Sequence, residues 1–487
     1  MATSTTDDGM VPVREGEYGE RVIAIEPGGV EYIPDRERHG HALNLFWTWN
    51  SPNWEFATVF VGVIPVAFLG AGFWPTAVAV AVGTALGCIT HGLLTSMGPK
   101  FGVPQMIQSR GAFGYLGNFV PAGLNTIFAG IGWFIVNSAS GTFALSSLTT
   151  IIHSHLAGFP VFPFQLSLAI IVAAQLFIAF IGHNFIHAFE RFVFPYLLVV
   201  FVITSVLIFA HAHLGTAFNT KAGGPGGATG AFILAMFIAY GYAIGWNPFA
   251  SDYSRYLPRG SSHAAAGMWA ALGVFVSCAF LEIVGAAVAT VPGTNWGASP
   301  TDQFVKVDPG LLAALTVLGI SVGTVSANVI NLYSAAMSFL SLGVRFGGLR
   351  LQRAVTAVGL GVIGFIVALA LQANIAPGSK YEDFLLLLGY WITPWLAVVL
   401  VDYWLKRGRY AEATFFDKAR NSWKGVVAMV VGIAASVPFW NQTLYTGPLP
   451  AAHPAIGDLS FIVGFGVSAI LYTLFSLIGR RPAAATA

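Results

Sequence analysis

Residues 44–60 read NLFWTWNSPNWEFATVF, and residues 241–253 read GYAIGWNPFASDY. Each stretch sets prolines, glycines or carboxamides inside an apolar run long enough to cross a bilayer. In hydrocarbon a break in a helix frees backbone N–H and C=O groups that only protein or enclosed water can satisfy, so such breaks persist only where they line a packed interior. The first lies at Asn50, Ser51, Pro52 and Asn53 in span 1. The second lies at Gly241, Gly245, Trp246, Asn247 and Pro248 in span 6. The two are five spans apart, and because five is odd, a repeat with that offset enters the membrane in the opposite sense. Spans 1 to 5 and 6 to 10 then form an inverted pair. Matched interruptions in two inverted halves point to a transporter binding site near the bilayer midplane. Each break taken alone has the ordinary alternative of a packing kink.

Composition agrees with a membrane protein. The 487 residues are 56% apolar and only 9% charged, whereas soluble domains carry about 25% charged residues. Continuous apolar runs give twelve spans, near 42–69, 73–96, 117–148, 163–183, 187–211, 228–251, 264–291, 311–342, 354–373, 382–403, 424–440 and 458–478. The expected organisation is all-α and polytopic. It comprises a flexible cytosolic tail (1–41), a first five-helix repeat (42–211), a second inverted repeat (228–403), a cytosolic loop (404–423), two further helices (424–478) and a cytosolic C-terminal tail (479–487). With the N-terminus inside, only Lys221, Lys306 and Lys380 of the 23 Lys and Arg residues fall outside. That asymmetry places both termini in the cytosol of a cell membrane, plasma or inner. No apolar segment precedes span 1 to act as a cleavable signal. Cys88 and Cys278 lie in apolar stretches and make neither a disulfide framework nor a zinc cluster. A net charge of +2 calls for no nucleic-acid partner.

Polar residues inside the spans carry the functional reading. Trp133 and Asn137 in span 3 are four residues apart and share a helical face. Asn328 and Asn331 in span 8 also share a face, while Ser326 points about 140–160° away from them. An indole with carboxamides suits a flat, uncharged, hydrogen-bonding heterocycle. Stacking on a base contributes about 1–3 kcal/mol, and amides left unpaired against the wrong edge supply discrimination. Trp246 would close the other side of a sandwich. The bland alternatives are interfacial anchoring for any one Trp and helix-to-helix glue for Asn. Ionisable groups in spans cost about 2.5–3.5 kcal/mol on insertion scales and are functional suspects. Glu282, deep in span 7, is the candidate proton carrier, and Glu55 lies just past the first break. Glu190 and Asp252 read instead as membrane-surface ion pairs or gate latches with Arg191 and Arg255. His183 and His187 fall in the turn between spans 4 and 5 without a third metal ligand. No HExxH, GxSxG, P-loop or Cys-rich set is present, so neither an enzyme nor a bound cofactor is expected beyond a coupling H⁺ or Na⁺. A membrane enzyme or a non-transporting receptor remains the remote alternative.

Several segments resemble the purine/cytosine permease branch of the nucleobase-cation symport family 1. They are GPKFGVPQMIQSRGAFG (98–114), IGWFIVN (131–137), FIGHNFIHAFER (180–191), GWNPFASDYSRYLP (245–258), SANVINLYS (326–334), LLGYW (387–391) and FFDKARNSW (415–423). The resemblance implies a five-plus-five LeuT-type fold with two added helices, and symport of a small heterocycle with a cation by alternating access. It places the substrate against Trp133, Asn137, Trp246 and Asn331, with Ser51 at the first break. No obligatory protein partner is implied. The family's sodium-coupled members use two neighbouring hydroxyls in span 8; here Ser326 is followed by Ala327, which favours a proton. Cation coupling is expected at Glu282, Glu55 and Ser326. The substrate class is a purine, cytosine or similar nucleobase. The alternatives are a hydantoin, allantoin, uracil, or a vitamin such as pyridoxine or thiamine.

Overall fold

The computed structural model describes residues 3–6, 9–221, 223–297, 299–346, 350–371 and 379–478. Among the described residues ten helices are long and apolar enough to cross a membrane, from Phe73–Phe101 to Ser460–Leu477. The shorter apolar helices Phe56–Ala67 and Trp423–Phe439 fall where spans 1 and 11 were expected. Among the described residues the strands are those of a short antiparallel hairpin, Thr3–Thr6 with Gly9–Pro12.

Both anticipated breaks are present. Span 1 is a helix Asn44–Asn50, a 3₁₀ turn Ser51–Asn53 and a second helix Phe56–Ala67. Pro52 cannot donate to the preceding turn, and Glu55 is extended at φ −140° and ψ 168°. Span 6 runs Gly227–Ile244, breaks through a 3₁₀ turn at Asn247–Phe249 and resumes at Ala250–Ser254. Span 6 packs on span 2, and span 7 packs on both halves of span 1. Span 8 packs on spans 3, 4 and 5, while span 3 meets span 9. Exchanging each span with the one five later turns the 2–6 contact into the 7–1 contact and the 8–4 contact into 3–9. Spans 10, 11 and 12 pack together at one side.

The N-terminal tail is not the flexible appendage expected. It crosses one face of the helices with Val11, Tyr18 and Ile33 buried. Its backbone bonds to one loop after another: Ile33 N to Gly102 O (3.0 Å), Glu26 N to Ile181 O (2.9 Å), His39 N to Tyr256 O (2.6 Å) and Gly28 N to Arg350 O (2.7 Å). The centre of this packing is Glu26, only 1% exposed. Arg353, Arg255 and Arg14 approach its carboxylate at 3.2, 3.5 and 3.8 Å. Tyr256 and Tyr333 donate their hydroxyls to it, and His183 its backbone N–H. The tail's charges look solvated in sequence, whereas Glu26 is buried among partners contributed by four different spans.

Spans 4 and 5 are joined by Gly182 alone, at φ 113°. A side chain there would be strained, and its Cβ would sit 2.7 Å from Glu26 Oε2 and 2.6 Å from Arg353 Nη2. His183 therefore starts a helix rather than lying in a turn.

Burial alone would favour the neutral form of Glu26, but Arg353, Arg255 and Arg14 outweigh it and hold the carboxyl below the ordinary carboxylate range. A folded pKa below the unfolded one stabilises the protein above the unfolded value, and that contribution is lost as pH falls through the folded value. Glu26→Gln, which leaves the buried Arg255 and Arg353 without a carboxylate and Arg14 with Glu37 alone, is expected to cost about 3–5 kcal/mol. Thermal unfolding of the detergent-solubilised protein should show a lower Tm for the variant at pH 7, and the difference should shrink as the wild type is acidified below the carboxylate range.

Candidate functional site

The two broken helices meet. Trp246 Nε1 donates to Asn53 Oδ1 at 3.0 Å, and the Trp246 ring stands edge-on to Trp49 with centroids 5.8 Å apart. Side chains satisfy the backbone that the first break exposes. Asn53 Nδ2 donates to Trp49 O (2.7 Å), Thr58 Oγ1 to Asn53 O (2.7 Å) and Trp54 Nε1 to Asn50 Oδ1 (2.9 Å). Asn50 Nδ2 donates across to Gly273 O in span 7 at 3.0 Å. Asn53 and Thr58 thus serve the Trp49 and Asn53 carbonyls beside the break, while Asn50 ties it to Trp54 and to span 7.

Trp133 ends a π-helical stretch, Phe128–Trp133, inside span 3. Its ring lies edge-on to Tyr242 (5.4 Å) and Phe384 (5.0 Å), with Tyr381 at 6.3 Å. Gly245 makes this approach possible, since a Cβ there would stand 3.3 Å from Trp133 Nε1. The residue before Trp246 thus touches Trp133, so both indoles belong to one cluster. They do not face each other directly; the ring neighbours of Trp246 are Trp49 and Phe249. Nothing in the sequence ties Tyr242 to Tyr381 and Phe384, because they come from two different helices, spans 6 and 10, and meet at Trp133 of span 3.

Asn137 and Asn331 converge on Asn328. The Asn328 Oδ1 accepts from Asn137 Nδ2 and from Asn331 Nδ2, each at 3.2 Å. Asn328 Nδ2 donates to Phe134 O (3.0 Å) and Ser138 Oγ (3.1 Å). Asn328 is therefore filled by protein partners, while the Oδ1 atoms of Asn137 and Asn331 are buried without one. Two unmatched acceptors in an interior are costly, and they fit a ligand that donates N–H groups.

Ser51 and Ser326 meet on the opposite side of span 8, at Glu190. Ser326 Oγ donates to Glu190 Oε2 at 2.5 Å, and Ser51 Oγ to the Glu190 carbonyl at 3.3 Å. Glu190 is 2% exposed, with Oε1 unpartnered. It is not a surface pair with Arg191, whose side chain is exposed. The adjacent charges in FER suggested a pair, yet on a helix neighbouring residues point about 100° apart. Asp252 likewise turns from Arg255. Its Oδ1 accepts the Gln105 N–H at 2.9 Å, while Arg255 reaches Tyr333 and Glu26. Ser51 thus sits with the carboxyl rather than with the Asn137, Asn328 and Asn331 amides.

Two further buried carboxyls complete the region. Glu55 Oε1 accepts from Tyr242 Oη at 3.3 Å, which links it through one ring to Trp133. Glu282 Oε2 accepts from Thr84 Oγ1 at 2.6 Å, leaving Oε1 unpartnered. Among the described residues no ion pair reaches Glu55, Glu190 or Glu282. His187 Nδ1 pairs with Thr48 Oγ1, and the His183 ring stacks on Tyr256 with centroids 3.7 Å apart. Among the described residues no three His, Cys, Asp or Glu side chains form a metal site.

The family model for permeases of cytosine/purines, uracil, thiamine and allantoin matches residues 32–464. The chain is 30% identical over 464 residues to the "Putative purine-cytosine permease YxlA" of Bacillus subtilis, covering 92% of this chain and 95% of that one. It is 27% identical to the purine-cytosine permease fcyB of Emericella nidulans, over 97% of this chain and 95% of that one. Among solved structures it superimposes on Mhp1, a nucleobase-cation-symport-1 family transporter, in a closed conformation with bromovinylhydantoin bound. The TM-score is 0.71 at 20% identity, over 94% of this chain and 95% of that one. The likeness establishes the LeuT-type transporter fold.

Because Asn328 serves both neighbouring amides, Asn328→Ala should unpair more groups than either of the other truncations. Its Tm in detergent is expected to fall further than that of Asn137→Ala or Asn331→Ala, each unpaired group costing about 1–3 kcal/mol. Equal losses for all three would remove Asn328 from the centre of the network.

Proposed function

Because the chain belongs to the family of permeases for cytosine/purines, uracil, thiamine and allantoin, we propose that it is a secondary active symporter importing a purine, cytosine or similar neutral nucleobase with a cation. The observation that carries this reading is the pair of buried, unpartnered carboxamide oxygens on Asn137 and Asn331 in the interior that holds Trp133. A nucleobase offers a flat ring for the indole and N–H donors for the two oxygens. A ring that turned an acceptor toward them would leave both sides unpaired, which is a stronger rejection than any loss of apolar contact.

The protein works in the cell membrane with the tail face cytosolic, as the distribution of basic residues supports. Substrate enters from the other face. Closure of the broken ends of spans 1 and 6 over the ring excludes water, and release requires the tail face to part. Trp246, held by Asn53, and Trp133, resting on Gly245, carry motion of either broken helix directly to the site.

The coupling cation is a proton. Ser326 is followed in span 8 by Ala327, so the adjacent second hydroxyl of a sodium cage is missing, and its own hydroxyl is taken by Glu190. Glu190 stands between the first break and span 8, with Ser51 on its backbone carbonyl and Ser326 on its carboxylate, so its protonation changes how tightly span 8 is held to it. Glu282 and Glu55 stand as the second carriers along spans 7 and 1.

Two measurements test this. Uptake of a labelled nucleobase panel into proteoliposomes is expected to weaken about 5- to 150-fold in apparent affinity for Trp133→Ala, the loss of 1–3 kcal/mol of stacking; unchanged uptake of every compound would remove Trp133 from the site. With Glu190→Gln, uptake driven by a pH gradient should be lost while counterflow exchange of substrate persists. Wild-type uptake that follows a sodium gradient and ignores protonophore would exclude proton coupling.

A further inference from the structure

A cavity of about 330 Å³ lies between the end of span 10, the start of span 11 and the end of span 12, lined in part by Asp402, Lys406, Arg420, Ser422, Lys424 and Ser476. Three of these side chains are cationic and one is anionic. The anion is fully occupied: Asp402 takes Lys406 Nζ at 2.6 Å and the hydroxyls of Tyr410 and Tyr472 at 2.7 Å each. Arg420 donates to the carbonyls of Arg110 (3.1 Å) and Gly111 (2.8 Å). Those neutral partners orient the guanidinium and leave its charge uncompensated. Lys424 has no carboxylate partner among the described residues. The crowding acts on Lys406, whose ammonium is held below the ordinary lysine range by burial, with Arg420 and Lys424 adding to that effect against the pull of Asp402.

The backbone adds to the same field. Span 11 begins at Trp423, and the side chain of the preceding Ser422 makes no capping bond. The N-terminal amides of a 14-residue helix and the positive end of its dipole are therefore set beside Arg420 and Lys424. One cavity bordered by two uncompensated cations and an uncapped helix start is complementary to a phosphate group.

The helix positions next to its lining residues are apolar and exposed. Trp423 is 61% exposed and packs on Phe475 at 5.2 Å, while Leu477 and Ile478 are 49% and 82% exposed. An exposed Trp among apolar side chains at a helix end marks the headgroup level of a bilayer. A soluble anion would have no use for that rim. We propose that this cavity holds the phosphate of an anionic phospholipid, with Lys424, Arg420 and the first turn of span 11 on the headgroup and an acyl chain along Trp423 and Phe475. Basic pockets between helices on the cytosolic side are suited to such headgroups. The bound lipid would join spans 11 and 12 to span 10 and, through Arg420, to Arg110 and Gly111 at the entry to span 3.

Native mass spectrometry of the full-length protein in detergent tests this, using phosphatidylglycerol, phosphatidylcholine of matched chains, and glycerol phosphate as the soluble control. The wild type is expected to retain phosphatidylglycerol over phosphatidylcholine. Lys424→Gln should reduce that retention about fivefold, the contribution of one cation near the surface, and Lys424→Arg should restore it. An unchanged Tm in phosphatidylcholine would show that the variant is folded. Equal retention of the two lipids, or no effect of Lys424→Gln, would overturn the assignment. Displacement of phosphatidylglycerol by glycerol phosphate at equal concentration would overturn it too, by making the ligand a soluble phosphate.

Discussion

The hydrogen bond from Trp246 to Asn53 joins two helices that hydrocarbon would otherwise not allow to break. Each interruption leaves polar backbone inside the membrane, and the two lie side by side, with Asn53 and Thr58 on the carbonyls of the first and span 2 against the second. Around that contact the rest follows: Asn53 and Thr58 satisfy exposed carbonyls of span 1, Asn50 ties the break to span 7, Gly245 brings Trp133 against span 6, and span 8 closes the back of the site. Gly323 of span 8 has no room for a Cβ against the Trp54 carbonyl, so the break itself is the surface on which span 8 packs.

Much of this was legible in the chain. Apolar length placed the helices within a few residues, because a span must match a bilayer of fixed thickness. Pro52 and Pro248 marked the breaks for the same reason. The face shared by Trp133 and Asn137 follows from helical geometry, as does the turn of Ser326 away from Asn328 and Asn331.

What was hidden depends on contacts between distant segments. Glu190 looked like half of a local ion pair, and nothing in FER tells that the carboxyl turns inward to Ser326. Tyr242, Tyr381 and Phe384 are three unremarkable aromatics until spans 6 and 10 are set against span 3. Asn328 and Asn331 looked equivalent by spacing, whereas one is consumed within the protein and the other is left with a free acceptor. The tail was the largest misjudgement. Its acids and arginines resemble a solvated segment in composition, and only the three-dimensional placement of Arg255, Arg353 and Tyr333 turns Glu26 into a buried anchor.

The π-helical stretch that delivers Trp133 has a consequence for how this span tolerates change in length. A π turn is an α-helical turn carrying one residue more than its hydrogen-bond ladder needs. Within Phe128–Trp133 the chain thus holds a spare residue immediately upstream of the site. Removing one residue would close the stretch into regular α-helix with Trp133 and Asn137 still facing as they do, whereas winding all of its residues as α-helix would turn the two together by about 100° relative to Phe119–Ile127. The pair would keep its mutual geometry and lose its aim. The spare residue is what sets the direction in which an otherwise ordinary helix presents its indole.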